Sequence, residues 1–368
     1  MCKFMTYDKK ILTKECCKRK MEIHYGSGTN KRSGNLNISD IAAKAGVSVS
    51  TVSRVINKSP NVNDETRRRI LKVMEETGYV PSSIARNMMS KSNRTIGLFI
   101  TDILNPFFSE IIKGVENVVN AEGYSLLIYA IGNSLRKEEE SLNKLIRDRA
   151  CGLIVTSCRL HSEKFVERAQ KYFNIVSIQS SLDNVDNIGA TDEKGTCDMI
   201  RYLIGLGHSQ ISVMGYDETL PTSDARFAGF KKAMADAELS VNDNQIIRVE
   251  PGEGNCYQAA LELLLRQNRP TAIHCLNEYI ASEVYRAIKD VGLSIPQDIS
   301  LTGFDNLFIS ELMEPKLTTV SQPIRQMGEV AAKCVIRRHQ YPDEEIQNIV
   351  FPTKLIIRDS AAVPYDAK

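Results

Sequence analysis

The stretch Asn37-Ile38-Ser39-Asp40-Ile41-Ala42-Ala43-Lys44-Ala45-Gly46-Val47-Ser48-Val49-Ser50-Thr51-Val52-Ser53-Arg54-Val55-Ile56-Asn57 decides the N-terminal fold. It opens with Asn-x-x-Asp, a capping-box pattern, sets apolar residues at 38, 41, 42 and 45 on one helical face, and stops at Gly46. After the turn Gly46-Val47-Ser48, Ser48 caps a second helix with Val52, Val55 and Ile56 inward. Val49, Ser50, Ser53, Arg54 and Asn57 are then expected to point outward. Two short helices joined by a three-residue turn, with small Ala42 at their approach, make a helix-turn-helix. Further along, Asn63 caps a third helix with Asp64 and Glu65 in its first turn, Ile70, Val73 and Met74 inward, and Gly78 as its stop. The three helices are expected to share one small core.

The outward face of the second helix suits a major groove. Short side chains let the helix axis come close to base edges, and Arg54 has the fork geometry to bind guanine bidentately. A lone arginine is ordinarily a solvated surface group; the surrounding pattern is what argues otherwise. Charge agrees with the pattern. The net of +2 divides into +11 over residues 1–94, with 19 Lys/Arg against 8 Asp/Glu, and −9 over the rest, with 28 against 37. A basic end on an acidic body is what attraction to phosphate requires. A solvated basic tail explains residues 1–34, with 9 against 3, but not 35–94, with 10 against 5.

Length and composition exclude several classes. At 368 residues, 42% hydrophobic and 25% charged, the chain can form two or three packed cores. Apolar runs such as Gly97–Ile100 and Gly152–Val155 fall far short of the roughly 20 residues that span a bilayer and read as buried strands. The first residues are basic and polar without an apolar stretch, unlike a secretory signal. Nine cysteines, odd in number and without a CxxC pair (Cys16 and Cys17 are adjacent), read as reduced thiols of a cytoplasmic protein. The five histidines are dispersed and form no HExxH, so neither a metal nor a cofactor is expected.

From Thr95 onward, short apolar strands alternate with amphipathic helices. Strand Ile96–Thr101, a helix from Pro106 to Ala121, strand Tyr124–Ala130, a charged helix near 135–149 and strand Gly152–Thr156 form a first block. A second block runs through helix 193–205, strand Ile211–Gly215, helix 224–237, strand Ile246–Val249, helix 255–267, strand Thr271–Leu276, helix 278–291 and strand Ile299–Gly303. Such alternation means βαβ units and parallel sheets, here in two similar subdomains with a cleft between them. Ligands of open parallel sheets sit beyond the carboxyl ends of strands. The residues there are Asn105, Phe107 and Phe108 after the first strand, Gln179 after the fourth, Arg226 in the helix after Ile211–Gly215, Asn277, and Asp305. An aromatic face with Arg, Asp and Asn groups suits the apolar side and vicinal hydroxyls of a sugar or nucleoside. Each alone is more often a cap or surface group, and their coincidence at strand ends carries the inference.

The run Ile41 to Asn57 resembles the DNA-binding signature of the lactose/galactose repressor (LacI/GalR) family. The resemblance implies an all-α helix-turn-helix domain followed by an α/β core like the periplasmic binding proteins, built of two Rossmann-like subdomains. It implies operator discrimination by Val49 and Ser50, base contact by Arg54, phosphate contacts by Ser48, Ser53 and Asn57, and a place for Thr51 on the same face. The stretch from Tyr79 through Ser90 resembles the family's hinge helix, with Met88 where a leucine enters the minor groove. Methionine is also an apolar wedge able to open a base step. In the core the motifs are Asn105-Pro106-Phe107-Phe108, Arg226-Phe227-Ala228-Gly229-Phe230, Asn277, Gly303-Phe304-Asp305-Asn306, and Leu317 to Pro323, which includes Gln322. These look like the effector site shared with sugar-binding proteins. Two departures stand out: an Asp-Arg pair often found after the fourth strand is Gln179-Ser180 here, and the acid after Asn277 is Glu278.

The expected organisation is a disordered basic extension over 1–34, a DNA-binding domain over 35–80, a hinge helix or linker over 81–94, and an effector and dimerisation core over 95–361. The N-subdomain is expected at about 95–191 plus 318–345 and the C-subdomain at about 192–317 plus 346–361. Residues 1–34 hold Met5 and Met21, so either translation starts later than Met1 or a basic arm adds non-specific DNA affinity. No leucine heptad follows Ser360, and a dimer is the smallest assembly that presents two recognition helices to a palindromic operator. The function implied is repression of carbohydrate or related catabolic genes, controlled by a sugar-like effector. Alternatives within the family are a nucleobase effector or a phosphoprotein co-regulator. An α/β enzyme is a distant rival: GxGxxG after a strand, GxxxxGK[ST] and GxSxG are missing, and Gly205-Leu206-Gly207 follows a helix.

Overall fold

The computed structural model describes residues 36–56, 59–79, 94–132, 134–156, 163–216 and 221–365, so the expected extension, the hinge segment, Asn57 and Met88 lie outside the described residues. The chain divides into two compact units, 1–89 and 90–368.

The first unit contains α1 (Ile38–Ala45), α2 (Val49–Ile56) and α3 (Asp64–Thr77). Its helix ends are written in the sequence. Asn37 accepts hydrogen bonds from the Ser39 and Asp40 amides while the Asp40 carboxylate accepts from the Asn37 amide, and Gly46 closes α1 at φ 63°. Asn63 accepts from the Glu65 amide at 2.8 Å, and Gly78 ends α3 at φ 62°. Ile41, Ala42, Ala45, Val52, Val55 and Ile70 form the buried core. Val73 and Met74 pack against it only half-buried, and so does Val49, which sequence analysis turned outward. At the first position of α2 the valine lies close enough to the core to cover it, as an apolar side chain there gains by doing.

The second unit has two six-stranded sheets. The first has the order β11-β5-β4-β3-β1-β2 and is parallel throughout, using β1 (Thr95–Ile100), β2 (Ser125–Ala130), β3 (Gly152–Thr156), β4 (Asn174–Ile178), β5 (Asp186–Ala190) and β11 (Asn348–Phe351). The second has the order β12-β10-β9-β8-β6-β7, using β6 (Ile211–Tyr216), β7 (Ile246–Val249), β8 (Ala272–Cys275), β9 (Ser300–Asp305), β10 (Thr318–Ser321) and β12 (Lys354–Ile356), the last antiparallel to β10. Helices cover both faces of each sheet: α4 (Pro106–Ala121), α5 (Leu135–Arg147), α6 (Glu163–Gln170) and α12 (Ile324–Gln340) on the first. The second carries α7 (Asp192–Gly205), α8 (Pro221–Asp236), α9 (Asn255–Leu264) and α10 (Glu278–Asp290), and a short α11 (Ile309–Leu312) follows β9. α4 and α12 approach closely because Gly114 and Gly328 face each other's backbone. A Cβ on Gly114 would lie 2.1 Å from the Arg325 carbonyl oxygen, and one on Gly328 2.5 Å from that of Ile111.

The subdomain boundaries expected near the C-terminus are corrected. Residues 318–321 pair with β9 in the second sheet, and 348–351 pair with β5 in the first. The chain therefore crosses between lobes at Thr191, at Gln322-Pro323 and at Pro352-Thr353. Strands that return late in the chain carry no strong sequence mark of which sheet they join, because either lobe offers them an open backbone edge. Two of the crossings are tied together: Thr191 Oγ1 and Thr353 Oγ1 lie 2.9 Å apart, and the Thr353 amide donates to Thr191 Oγ1. In the first lobe Asp186, fully buried, accepts from Arg338 Nε at 2.9 Å and Nη2 at 3.0 Å and from the Gln347 amide at 2.7 Å. Burial pushes this carboxyl up, but the arginine and the amide outweigh it and hold it below its ordinary value.

Candidate functional site

In the helical unit, the Ser48 hydroxyl accepts from the Thr51 amide at 3.2 Å and lies 2.8 Å from the hydroxyls of both Ser50 and Thr51. Ser48, Ser50 and Arg54 are exposed, while Val49, Thr51 and Ser53 are half-buried. The exposed face of α2 thus offers two hydroxyls and one guanidinium on a helix whose opposite side, Val52 and Val55, is buried. Exposed Lys44, Arg68, Arg69 and Lys72 add positive charge to the unit. This arrangement has the small, donor-bearing profile that fits a major groove.

In the second unit, a cavity of about 640 Å³ opens between the lobes at the carboxyl ends of the strands. That is an ordinary size for a small-molecule site. Asn105, Phe107, Phe108, Gln179, Arg226, Asn277 and Asp305 all line it. From the first lobe come Phe107 and Phe108, edge-to-face at 5.2 Å, and Asn105, which caps α4 by accepting from the Phe107 amide at 3.0 Å. From the second come Arg226 on α8, Asn277 capping α10 through the Ile280 amide at 2.8 Å, and Asp305 at the end of β9 with φ 114°. A non-glycine residue in that backbone region is strained, and the surrounding hydrogen bonds hold it there.

Gln322 does not line the cavity. It sits behind it at a lobe crossing, with Gln179 Nε2 donating to its Oε1 and its own Nε2 donating to Asp305 Oδ1, both at 2.6 Å. The relay continues to Arg226, whose Nη1 is 3.6 Å from Asp305 Oδ1 and whose Nε donates to Asp192 Oδ1 at 2.7 Å. The guanidinium also bonds the Leu276 carbonyl and stacks on the Phe304 ring with 3.6 Å to the centroid. One chain of hydrogen bonds and an ion pair therefore runs from the end of β4 in one lobe, through a crossing, to α8 and α7 in the other. Burial pushes the Asp305 carboxyl up to about 7 against the pull of Arg226 and Gln322, and it raises Asp192 as well.

Glu278 turns away from the cleft. Fully buried, it accepts from the amides of Asn306 and Leu307 and from Thr319 Oγ1, tying α10 to the turn after β9. Burial and the nearby Asp305 push it up to about 8, against these three donors. Sequence reasoning missed Tyr216, Tyr279, Asp102 and Glu253, which line the cleft, and Asp192, which holds Arg226. Tyr216 was within reach of the strand-end argument, since β6 runs one residue further than expected. No group of His, Cys, Asp and Glu suited to a metal ion occurs among the described residues, and no described helix is long and apolar enough to cross a membrane.

Residues 37–82 match the family described as bacterial regulatory proteins, lacI family, and residues 200–361 match a periplasmic binding protein-like domain. The chain is 33% identical to the HTH-type transcriptional repressor PurR of Vibrio parahaemolyticus, covering 88% of this chain and 98% of that one. It is likewise 33% identical to the HTH-type transcriptional regulator GalR of Escherichia coli, covering 89% and 96%. Among solved structures, a LacI family transcriptional regulator from Enterococcus faecium with bound ribose matches at TM-score 0.67 and 28% identity, over 73% of this chain and 99% of that one. The lac repressor dimer bound to operator and the anti-inducer ONPF shares the fold at TM-score 0.79 and 24% identity, over 89% and 100%.

Proposed function

Since the chain belongs to the lacI family of bacterial regulatory proteins and is a DNA-binding transcriptional regulator, we propose that it is a cytoplasmic, dimeric repressor whose grip on a palindromic operator is set by a sugar-like molecule bound between the core lobes. One observation carries the ligand part. The relay Gln179–Gln322–Asp305–Arg226–Asp192 joins both lobes through a crossing and borders the cavity, so a ligand that engages Asp305 and Arg226 perturbs the hinge itself. On the DNA side, Ser50 and Arg54 read base edges, while Ser48 and Ser53, with Asn57, hold phosphates. Val49 contributes through its exposed part alone. Met88 serves as the apolar wedge at the operator centre.

Lobe closure then alters the spacing of the two DNA-reading units, and operator affinity changes by the coupling free energy between sites. About 1–3 kcal/mol suffices for a roughly 5–150-fold response. The experiment is selection of duplexes from a random pool, followed by titration of the winning sequence with and without candidate ligands. A palindromic consensus and a ligand-dependent shift are expected. Absence of any preference over random competitor at moderate salt, with and without ligands, would refute the proposal.

A further inference from the structure

Thr191 stands where β5 of the first lobe gives way to α7 of the second, and Thr353 where β11 gives way to β12. A threonine at the head of a helix ordinarily accepts, through its hydroxyl, from a first-turn amide, because those amides have no partner within the helix. Asn37, Asn63, Asn105 and Asn277 do this for α1, α3, α4 and α10. Thr191 occupies the same position on α7, yet its side chain makes no capping bond. Its Oγ1 accepts instead from the Thr353 amide at 2.9 Å and lies 2.9 Å from Thr353 Oγ1, which donates to the Thr191 carbonyl at 3.2 Å. Asp192, the next acid along, is held by Arg226.

This diversion is tied to the angle between the lobes. The ψ of Thr191 is 64°, against 171° at Asn37 and 168° at Asn277, whose side chains do cap. That torsion lies on the covalent path between the lobes, at the kind of element-terminal position that absorbs hinge motion. Turning it toward the extended region rotates α7 against β5 and swings the hydroxyl from Thr353 toward the first turn of α7. Thr353 is half-buried, so its amide can turn to water when released. The cleft reaches this joint as well. A Cβ on Gly195 would stand 2.8 Å from Thr353 Oγ1 and 3.1 Å from the Phe304 ring, so the bare glycine lets both pack against the first turn of α7. Phe304 is the ring on which Arg226 stacks, and Arg226 also holds Asp192. A displacement of Arg226 therefore acts on the head of α7 through two contacts at once.

We propose that Thr191 is a hinge switch: its hydroxyl passes between Thr353 and the first turn of α7 as the lobes rotate, and this exchange sets the balance of lobe angles on which operator binding depends. The last clause rests on the repressor reading above. The test uses the full chain without added ligand and the duplex chosen by the selection described there. Oxidation of Thr191→Cys/Thr353→Cys ties the two crossings in the clasped state, which hydroxyls 2.9 Å apart make feasible. Thr353→Val weakens the clasp alone, Thr191→Val removes the hydroxyl from both states, and Thr191→Ser keeps it. Hydrogen exchange at the first-turn amides of α7 is expected to be faster in the oxidised pair than in its reduced form, and slower in Thr353→Val than in the unmodified chain. Operator affinity is expected to move in opposite directions in the oxidised pair and in Thr353→Val, the two differing by at least about fivefold. Thr191→Val should shift it less than Thr353→Val does, and Thr191→Ser should match the unmodified chain. Exchange rates that stay equal overturn the transfer of the hydroxyl. Exchange that changes while operator affinity does not, or affinities that move in the same direction, make the clasp a static joint and overturn the switch. If the unmodified chain itself prefers no duplex, the repressor reading fails and takes the switch with it.

Discussion

The reading face proposed for the helical unit comes from one eight-residue helix, Val49–Ile56, and its cap, whereas the cleft collects Asn105, Gln179, Arg226, Asn277 and Asp305 from across two lobes. The two differ in what holds them. The helical face is positioned by backbone hydrogen bonds between near neighbours and by capping side chains at Asn37, Ser48 and Asn63. The cleft is positioned by buried polar contacts between residues far apart in sequence, such as Gln179 with Gln322 and Arg226 with Asp192. A local site tolerates perturbation elsewhere in the chain; a dispersed one inherits every strain of the framework.

The contrast can be broken or sharpened by mutation. The largest effect is expected for Asp186→Ala, which leaves the Arg338 guanidinium buried without its partner and should lower core stability by about 3–5 kcal/mol in urea unfolding. A loss well below that range would mean the framework is less interdependent than its contacts imply. Next, Arg54→Ala should weaken specific operator binding by about 1–3 kcal/mol and blur base preference in competition gel shifts, with the core melting unchanged. Undiminished selectivity would remove α2 as the reader. Asn63→Ala should cost about 1 kcal/mol, confined to the helical unit; circular dichroism melts that also move the core transition would contradict the separation.

The remaining expectation is an effect of pH on the core. Asp305 and Glu278 are pushed up to about 7 and about 8, so the folded chain keeps protons that the unfolded chain has already released at neutral pH. The folded state then binds more protons, and stability falls as pH rises from roughly 4 to 8. Asp186 acts oppositely, its lowered carboxyl contributing stability that is lost only in acid. Urea midpoints should therefore be lower at about pH 8.5 than at about pH 5.5, with a flatter profile in Asp305→Asn. A midpoint that rises with pH in the unmodified chain would mean that these carboxyls stay ionised in the fold.

What sequence conveys follows the same division. Caps, stops and the buried stripe of α1 to α3 were legible because each depends on residues within a turn or two. The half-buried Val49 was not, since its cover comes from the packing of three helices together. In the core, strand–helix alternation and the strand-end rule located seven cleft residues. They could not show that Gln322 lies behind the cavity as a bridge, that Asp192 sits on Arg226, or that Thr318–Ser321 and Asn348–Phe351 join the sheets they do. Those facts depend on which backbone edge a returning strand meets.

The threefold passage of the chain between lobes has a consequence for biosynthesis. Neither half is continuous: the first sheet waits for α12 and for Asn348–Phe351, and the second for Lys354–Ile356. As the polypeptide leaves the ribosome, the helical unit is complete early, while both lobes stay unfinished until the last few dozen residues emerge. A message cut short near its 3′ end would therefore yield a product with an intact DNA-reading head and two incomplete lobes, unable to answer its signal.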